Sequence, residues 1–206
     1  MPPPPLGPTT LEGRFVRLEP LRPHHTAALL AVADNPDIWR GFPADLRAEA
    51  AMAAWIADAN AAESLGTECA FAVWHRPSGT YVGSTRYLDI SAAHRGVEIG
   101  WTWSAPQFWG SAVNPECKLL LRRHAFETWG AIRVYFKTDV RNTHSQAALR
   151  KLGATYEGTL RQHRIRADGT YRDSVYFSVL DGEWPTVRDG LLARIERAGA
   201  GTAGPA

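Results

Sequence analysis

The stretch from Glu98 to Glu116 combines residue types and a spacing that could hold an anion and move a proton. Gly100-Trp101-Thr102-Trp103 is followed by Gln107-Phe108-Trp109-Gly110-Ser111-Ala112-Val113-Asn114-Pro115. The spacing describes a strand that stops, a small-residue loop and a helix start. Asn114 has the side chain of an N-cap, and Pro115 falls at the first helical position, where its missing N–H costs nothing. Free N–H groups in a Gly-containing turn, backed by a helix N-terminus, form an anion site suited to a pyrophosphate. Glu98, on the strand entering the loop, is a carboxylate placed to accept a proton.

Other chemistries are not written here. No Gly-x-Gly-x-x-Gly follows a first strand and no Gly-Lys-Ser/Thr is present, so neither a dinucleotide-binding turn nor a P-loop fits. The seven histidines, His24, His25, His75, His94, His124, His144 and His163, are scattered without paired ligand spacing, so no metal site is expected.

The elements that must position these residues follow from the periodicity. With 206 residues, 45% hydrophobic and 21% charged, the chain reads as one ordinary globular domain. Its net charge of +2 implies no nucleic-acid tail. Cys69 and Cys117 sit in apolar segments and read as buried thiols, which suits a reducing cytoplasm. No apolar run approaches the ~18 residues of a membrane span, and the Pro-rich start has no signal-peptide pattern.

Residues 1–10 are expected to be disordered. A strand over 14–18, a helix from His24 to Asn35 and a helix over 47–62 precede the strands 69–75, 81–90 and 95–103, which should pair as an antiparallel meander. A helix over 115–129 closes at Gly130, a strand spans 132–139, and Asn142 opens a short helix ended by Gly153. Strands over 155–166 and 171–180 flank an Asp168-Gly169 turn. The main domain is expected over 11–185, with a loosely packed C-terminal helix and a flexible tail over 186–206. This order argues for an α+β architecture around a mixed sheet.

Gln107 to Ala112 fits Gln/Arg-x-x-Gly-x-Gly/Ala between a strand and a helix, and resembles the acetyl-CoA pyrophosphate loop of the GNAT N-acetyltransferase superfamily. Val97-Glu98-Ile99-Gly100-Trp101, Asn142-x-x-Ser145 with Leu152-Gly153-Ala154, and Leu160-Arg161, Asp168-Gly169 and Tyr171-Arg172-Asp173 are similar to segments of its RimJ/RimL-type branch. The resemblance spans roughly residues 11 to 185. It implies a mostly antiparallel central sheet, flanked by helices and splayed at the acetyl-CoA site. It implies cofactor contacts from Trp101, Trp103, Gln107, Trp109, Gly110, Ser111, Ala112, Val113, Asn114, Asn142 and Ser145. It also implies direct transfer of the acetyl group from acetyl-CoA to a primary amine, without an acyl-enzyme.

The roles keep alternatives. Glu98 is the base, acting through water, or an exposed or ion-paired strand carboxylate. Ser145 resembles the residue that protonates the leaving CoA thiolate, or bonds its own backbone. Some relatives carry a Glu in the first strand of the final hairpin, whereas this chain has Arg161-Gln162-His163-Arg164, which makes His163 a minor candidate base. Trp39, Phe42, Trp55 and Tyr87 form an acceptor slot or pack in the core. Arg161, Arg164, Arg166 and Arg172 form a solvated face or bind an acidic partner. The acceptor is a protein N-terminus or a small-molecule amine. No membrane partner is expected, nucleic acid is disfavoured, and homodimerisation is left open. The alternative function is a non-catalytic acyl-CoA-binding regulatory module.

Overall fold

Cys69, Phe71 and Val73 point to one side of their strand, Ala70 and Ala72 to the other, and all five are buried. A strand buried on both faces must lie inside a sheet covered on both faces, and the architecture follows from that requirement. The computed structural model describes residues 6–166 and 168–200. Eight strands form one sheet: β1 (Leu11–Glu12), β2 (Val16–Pro20), β3 (Cys69–His75), β4 (Thr80–Ser91), β5 (Gly96–Ser104), β6 (Arg133–Asp139), β7 (Thr155–Ile165) and β8 (Tyr171–Leu180). Their spatial order is β1-β2-β3-β4-β5-β6-β8-β7. Every neighbouring pair is antiparallel except β5 and β6, which are parallel.

A parallel pair needs a crossover, and a helix supplies it. This is α3 (Val113–Arg123), which continues through a π-helical turn, His124–Trp129, to Gly130 at φ +77°. The left-handed conformation at Gly130 is the expected stop. Val113, Cys117, Leu120 and Leu121 of α3 pack with Val97, Ile99, Val134 and Phe136 in the main core. The opposite face, over β3 to β5, is covered by α1 (Thr26–Leu30) and α2 (Glu49–Ser64), whose Met52, Trp55, Ile56 and Ala59 meet Ala70, Ala72 and Trp103.

Several expected boundaries move. The helix expected from His24 to Asn35 is a 3-10 turn, Pro23–His25, followed by α1 alone. The strand expected over 14–18 is β2, which begins at Val16 because residues 13–16 form a turn around the Glu116 carboxylate. Its two oxygens accept the backbone N–H groups of Arg14 at 2.8 Å, Phe15 at 2.6 Å and Val16 at 2.7 Å. A Cβ on Gly13 would stand 2.5 Å from the Glu116 carboxyl carbon, so only glycine allows that approach.

The expected domain limit at 185 does not coincide with the packing. Helix α5 (Trp184–Ala200) buries Trp184, Leu191 and Ile195 against Ala112, Leu119 and Leu152, so it is part of the body rather than a loose appendage. At the other end Leu6 is buried in the main core, so disorder does not extend over all of 1–10. Residues 1–5 of that segment, and 201–206 of the expected tail, lie outside the described residues.

Glu116→Gln leaves one acceptor oxygen and turns an amide toward backbone donors. The variant is expected to lose about 3 kcal/mol of unfolding free energy in urea, the scale of buried charge-assisted bonds left unmade. A change within ~0.5 kcal/mol, ordinary for a surface substitution, would show that the carboxylate is not the clamp.

Candidate active site

The β5–β6 ladder contains only Gly96↔Arg133, Val97↔Val134 and Glu98↔Tyr135. Beyond Glu98 the strands run on to Ser104 and Asp139 without pairing each other. The splay implied by the resemblance thus begins just after Glu98, and it leaves the β6-facing backbone edge of β5 open. Within this stretch Trp101 takes φ +46°, and the register with β4 shifts between Ser84 and Arg86. A tryptophan in the left-handed region is costly and needs its surroundings to hold it. Here Phe42 meets its ring edge-to-face at 5.2 Å, and the Arg86 guanidinium lies 5.1 Å from the ring centre.

The loop at the mouth of this gap carries Gln107 and Phe108 in a short 3-10 turn, Trp109 with its indole N–H donated to the Ser104 carbonyl at 2.9 Å, and Gly110 at φ +76°. Nothing lies within 4 Å of a Cβ built on Gly110, so its outer side is open. The expected cap is corrected. Helix α3 begins at Val113 with Ala112 as N-cap, not at Pro115 with Asn114. Ser111 makes the earlier start possible: its hydroxyl donates to the Phe108 carbonyl at 2.6 Å and accepts the Val113 N–H at 3.2 Å. Pro115 then sits in the first turn, where its missing N–H is still not missed. Ala112 and Val113 are buried, so their backbones alone face a ligand. Among the described residues the N–H groups of Gly110, Ala112 and Asn114 have no acceptor, and the buried Asn114 Oδ1 has no partner.

Across the gap, α4 (Thr143–Lys151) follows β6 directly. Asn142 is its N-cap, Oδ1 accepting the Ser145 N–H at 2.9 Å. The half-buried Ser145 hydroxyl makes no local backbone bond. The loop that carries Trp39 and Phe42 reaches this point, since a Cβ on Gly41 (φ +82°) would lie 3.3 Å from Asn142 Nδ2. Of the expected acceptor slot only Phe42 borders the gap. Trp39 is corrected to a core residue, its indole N–H donated to the Ala33 carbonyl at 2.8 Å and its ring packed on Trp103. Tyr87 is likewise core: it is fully buried under α3 and donates its hydroxyl to the Leu121 carbonyl at 2.5 Å. Trp103 is buried in the second core, so only its backbone is available.

Glu98 lies on the sheet face opposite α3, 5% exposed. Oε2 is 2.6 Å from Lys137 Nζ, which also reaches Asp89 Oδ2 at 2.9 Å. Burial pushes the Glu98 carboxyl up to about 7 although the Lys137 ammonium pulls it down. The carboxylate is therefore both ion-paired and able to take a proton near neutrality. It folds back over Gly100, where a Cβ would stand 3.2 Å from Oε1 and 2.6 Å from Leu88 Cδ1. His163 belongs to the same half of the sheet, Nε2 at 3.4 Å from the Tyr176 hydroxyl, and burial lowers its proton affinity.

The pattern reading missed Lys137, Asp89 and the polar groups beneath the gap: Thr85, Thr102, Lys118 and Arg122. The two cations sit on an otherwise apolar helix face, and that anomaly was the available signal. Burial pushes both Cys69 and Cys117 thiols up to about 12, leaving them inert. Among the described residues no group of three or more His, Cys, Asp or Glu is arranged for a metal, and no helix is long and apolar enough to cross a membrane.

The unpaired loop N–H groups and the open edge of β5 thus lie at one end of the sheet, as two sets of free backbone groups. Residues 16–155, more than half of the chain, match the model of the acetyltransferase (GNAT) domain. The chain is 31% identical over 107 residues to YdaF of Bacillus subtilis (strain 168), whose name assigns it provisionally to ribosomal N-acetyltransferases; the match covers 52% of this chain and 57% of YdaF. It superposes with a TM-score of 0.81 on a crystal structure from T. thermophilus given provisionally as an acetyltransferase, at 39% identity over 91% of this chain and 97% of that one. Mycobacterium smegmatis RimJ, solved with CoA-disulfide, shares the fold at a TM-score of 0.77 and 22% identity, covering 90% of this chain and 94% of RimJ. The chain belongs to the GNAT acetyltransferase family, a family of acyltransferases whose cosubstrate is acetyl-CoA.

Proposed function

We propose that the protein transfers the acetyl group of acetyl-CoA to a primary amine by direct attack within a ternary complex. One observation carries this: the gap opened where β5 and β6 part leads straight to a loop whose Gly110, Ala112 and Asn114 N–H groups have no acceptor among the described residues. Bound there, acetyl-CoA supplies an acetyl thioester to the gap. The loop N–H groups receive the pyrophosphate, and the open edge of β5 pairs with the amides of the arm like an added strand. A β5 N–H near the Trp101 bulge polarises the thioester carbonyl.

The acceptor enters beside Phe42 and Trp101. Free α-amino groups hold their proton up to pH ~8, so the attacking amine must first lose it. Glu98 takes that proton through water, and its position near neutrality suits the task. Ser145, its hydroxyl unused by the fold, protonates the sulfur as it leaves. The name given to YdaF makes N-terminal amines of ribosomal proteins the first acceptors to try; small-molecule amines are the other class.

The ion pair between Glu98 and Lys137 favours a second reading, a non-catalytic acyl-CoA-binding module whose carboxylate is locked. Mixing the protein with acetyl-CoA and a panel of peptide and small-molecule amines, while following free thiol, separates the two. Thiol release dependent on one acceptor is expected. Tight CoA binding without release across the panel would favour the module.

Two variants probe the parts. Gly110→Asn keeps a side chain that tolerates positive φ, whereas Gly110→Asp adds a charge facing the pyrophosphate. Acetyl-CoA should raise the Tm of the Asn variant and leave that of the Asp variant unmoved; equal stabilisation of both would remove the loop assignment. The wild-type rate is expected to fall as pH drops through about 7, where Glu98 gains its proton. Glu98→Gln should lower kcat by ~100-fold at pH 8 and flatten that limb. An unchanged acid limb would exclude Glu98 as the base.

A further inference from the structure

Two cations are buried in α3 one turn apart, and among the described residues neither touches a carboxylate. Arg122 is fully buried, gives one N–H to the Leu152 carbonyl at 2.7 Å, and leaves Nε and its other amino group without partners. Lys118 is 4% exposed, and its Nζ donates to the Thr102 hydroxyl at 2.6 Å and to the Thr85 hydroxyl at 3.4 Å. An uncompensated buried ammonium destabilises a fold, so its presence calls for a reason other than stability.

Position supplies that reason. Thr102 is exposed on the β5 side of the gap, next to the bulge at Trp101, and its hydroxyl also meets that of Thr85 at 2.8 Å. Phe136, on the β6 side, has its ring 5.9 Å from Lys118 Nζ and 5.0 Å from Arg122 Cζ. Lys118 thus reaches both strands below the point where they stop pairing and forms the floor between them.

We propose that Lys118, acting through the Thr102 hydroxyl, holds positive charge at the floor of the gap for the sulfur that leaves during acetyl transfer. This rests on the acetyl-CoA reading above. In the step, the amine nitrogen bonds the acetyl carbon, the C–S bond breaks, and its electron pair goes to sulfur. Ser145 gives sulfur a proton and is reprotonated by solvent, while Lys118 keeps its own. Lys118 therefore acts as a positioning residue for charge, and Thr102 is the group that meets the ligand.

Burial brings the Lys118 amine down to about 7, and the Arg122 charge adds to that effect against the Cys117 thiol of the same helix. The strands facing it bring Thr85, Thr102 and Phe136 to the amine, and Tyr87 of β4, its hydroxyl pushed up by burial, bonds the Leu121 carbonyl of the same helix. In the unfolded chain the amine would hold its proton to about 10.4. Its cost to the fold is therefore full below pH 7 and fades as pH rises toward 10.

The test uses the whole protein, with CoA, which bears a free thiol, and acetyl-CoA, which does not. In titrations at pH 6, where the Lys118 amine holds its proton, Lys118→Met should weaken CoA at least tenfold relative to acetyl-CoA, whose own Kd should change less than threefold. Without ligand, its Tm should exceed that of the wild type at pH 6 and converge on it as pH rises toward 10. Should Lys118→Met fail to fold, Thr102→Val breaks the same relay and should produce the same loss of CoA preference. An unchanged ratio of CoA to acetyl-CoA affinity would overturn the proposal, as would a Tm below wild type at every pH, which marks a purely structural cation. Wild-type protein that binds neither ligand would instead overturn the acetyl-CoA reading itself.

Discussion

Backbone hydrogen bonding between neighbouring strands is close to obligatory, and the site depends on one place where it stops. After Glu98 and Tyr135 the two central strands no longer serve each other, and the polar edge of β5 must look elsewhere for partners. This happens at the one parallel pair among the described strands, and the coincidence is geometric. A parallel pair needs a crossover, so a helix must start where the first strand ends. The N-terminus of α3 therefore opens at the same end as the gap, and unpaired helix-start N–H groups and an unpaired strand edge arrive together.

The sheet divides the chemistry between its two faces. Glu98 lies on one, raised toward neutrality by burial and moderated by Lys137. Lys118 and Arg122 lie on the other, under α3, both driven down by the same burial. Loss of water thus pushes acid and amine toward the pH range in which either can change charge, from opposite directions. Trp101, at positive φ, is held between an aromatic ring and a guanidinium beside the second core.

Much of this was legible in the residues. Alternation over Cys69–His75 and the punctuation by Gly130, Gly153 and Asp168-Gly169 place the elements within a few positions. Asn142 caps α4 as its spacing to Ser145 suggests. What failed involved partners distant in the chain. Asn114 looks like a better cap than Ala112, and only the hydroxyl of Ser111 bridging Phe108 and Val113 decides otherwise. Tyr87 and Trp39 read equally well as slot or core, because aromatic residues say nothing about which side of a sheet is covered; α3 and α2 settle it. Lys118 was overlooked since a lysine in a helix is usually solvated, and its burial follows from the packing of α3 into the sheet.

The clamp at Glu116 has a thermodynamic corollary. The helix that presents the loop is latched by backbone groups 100 to 102 positions earlier in the chain. Opening of the turn at residues 13–16 would strand a carboxylate in the first turn of α3, so the two segments share one cooperative unit for local unfolding. Occupancy of the loop and docking of the N-terminal turn are then linked equilibria. A ligand that steadies the helix start also protects the amides of Arg14, Phe15 and Val16 from exchange, although it touches none of them.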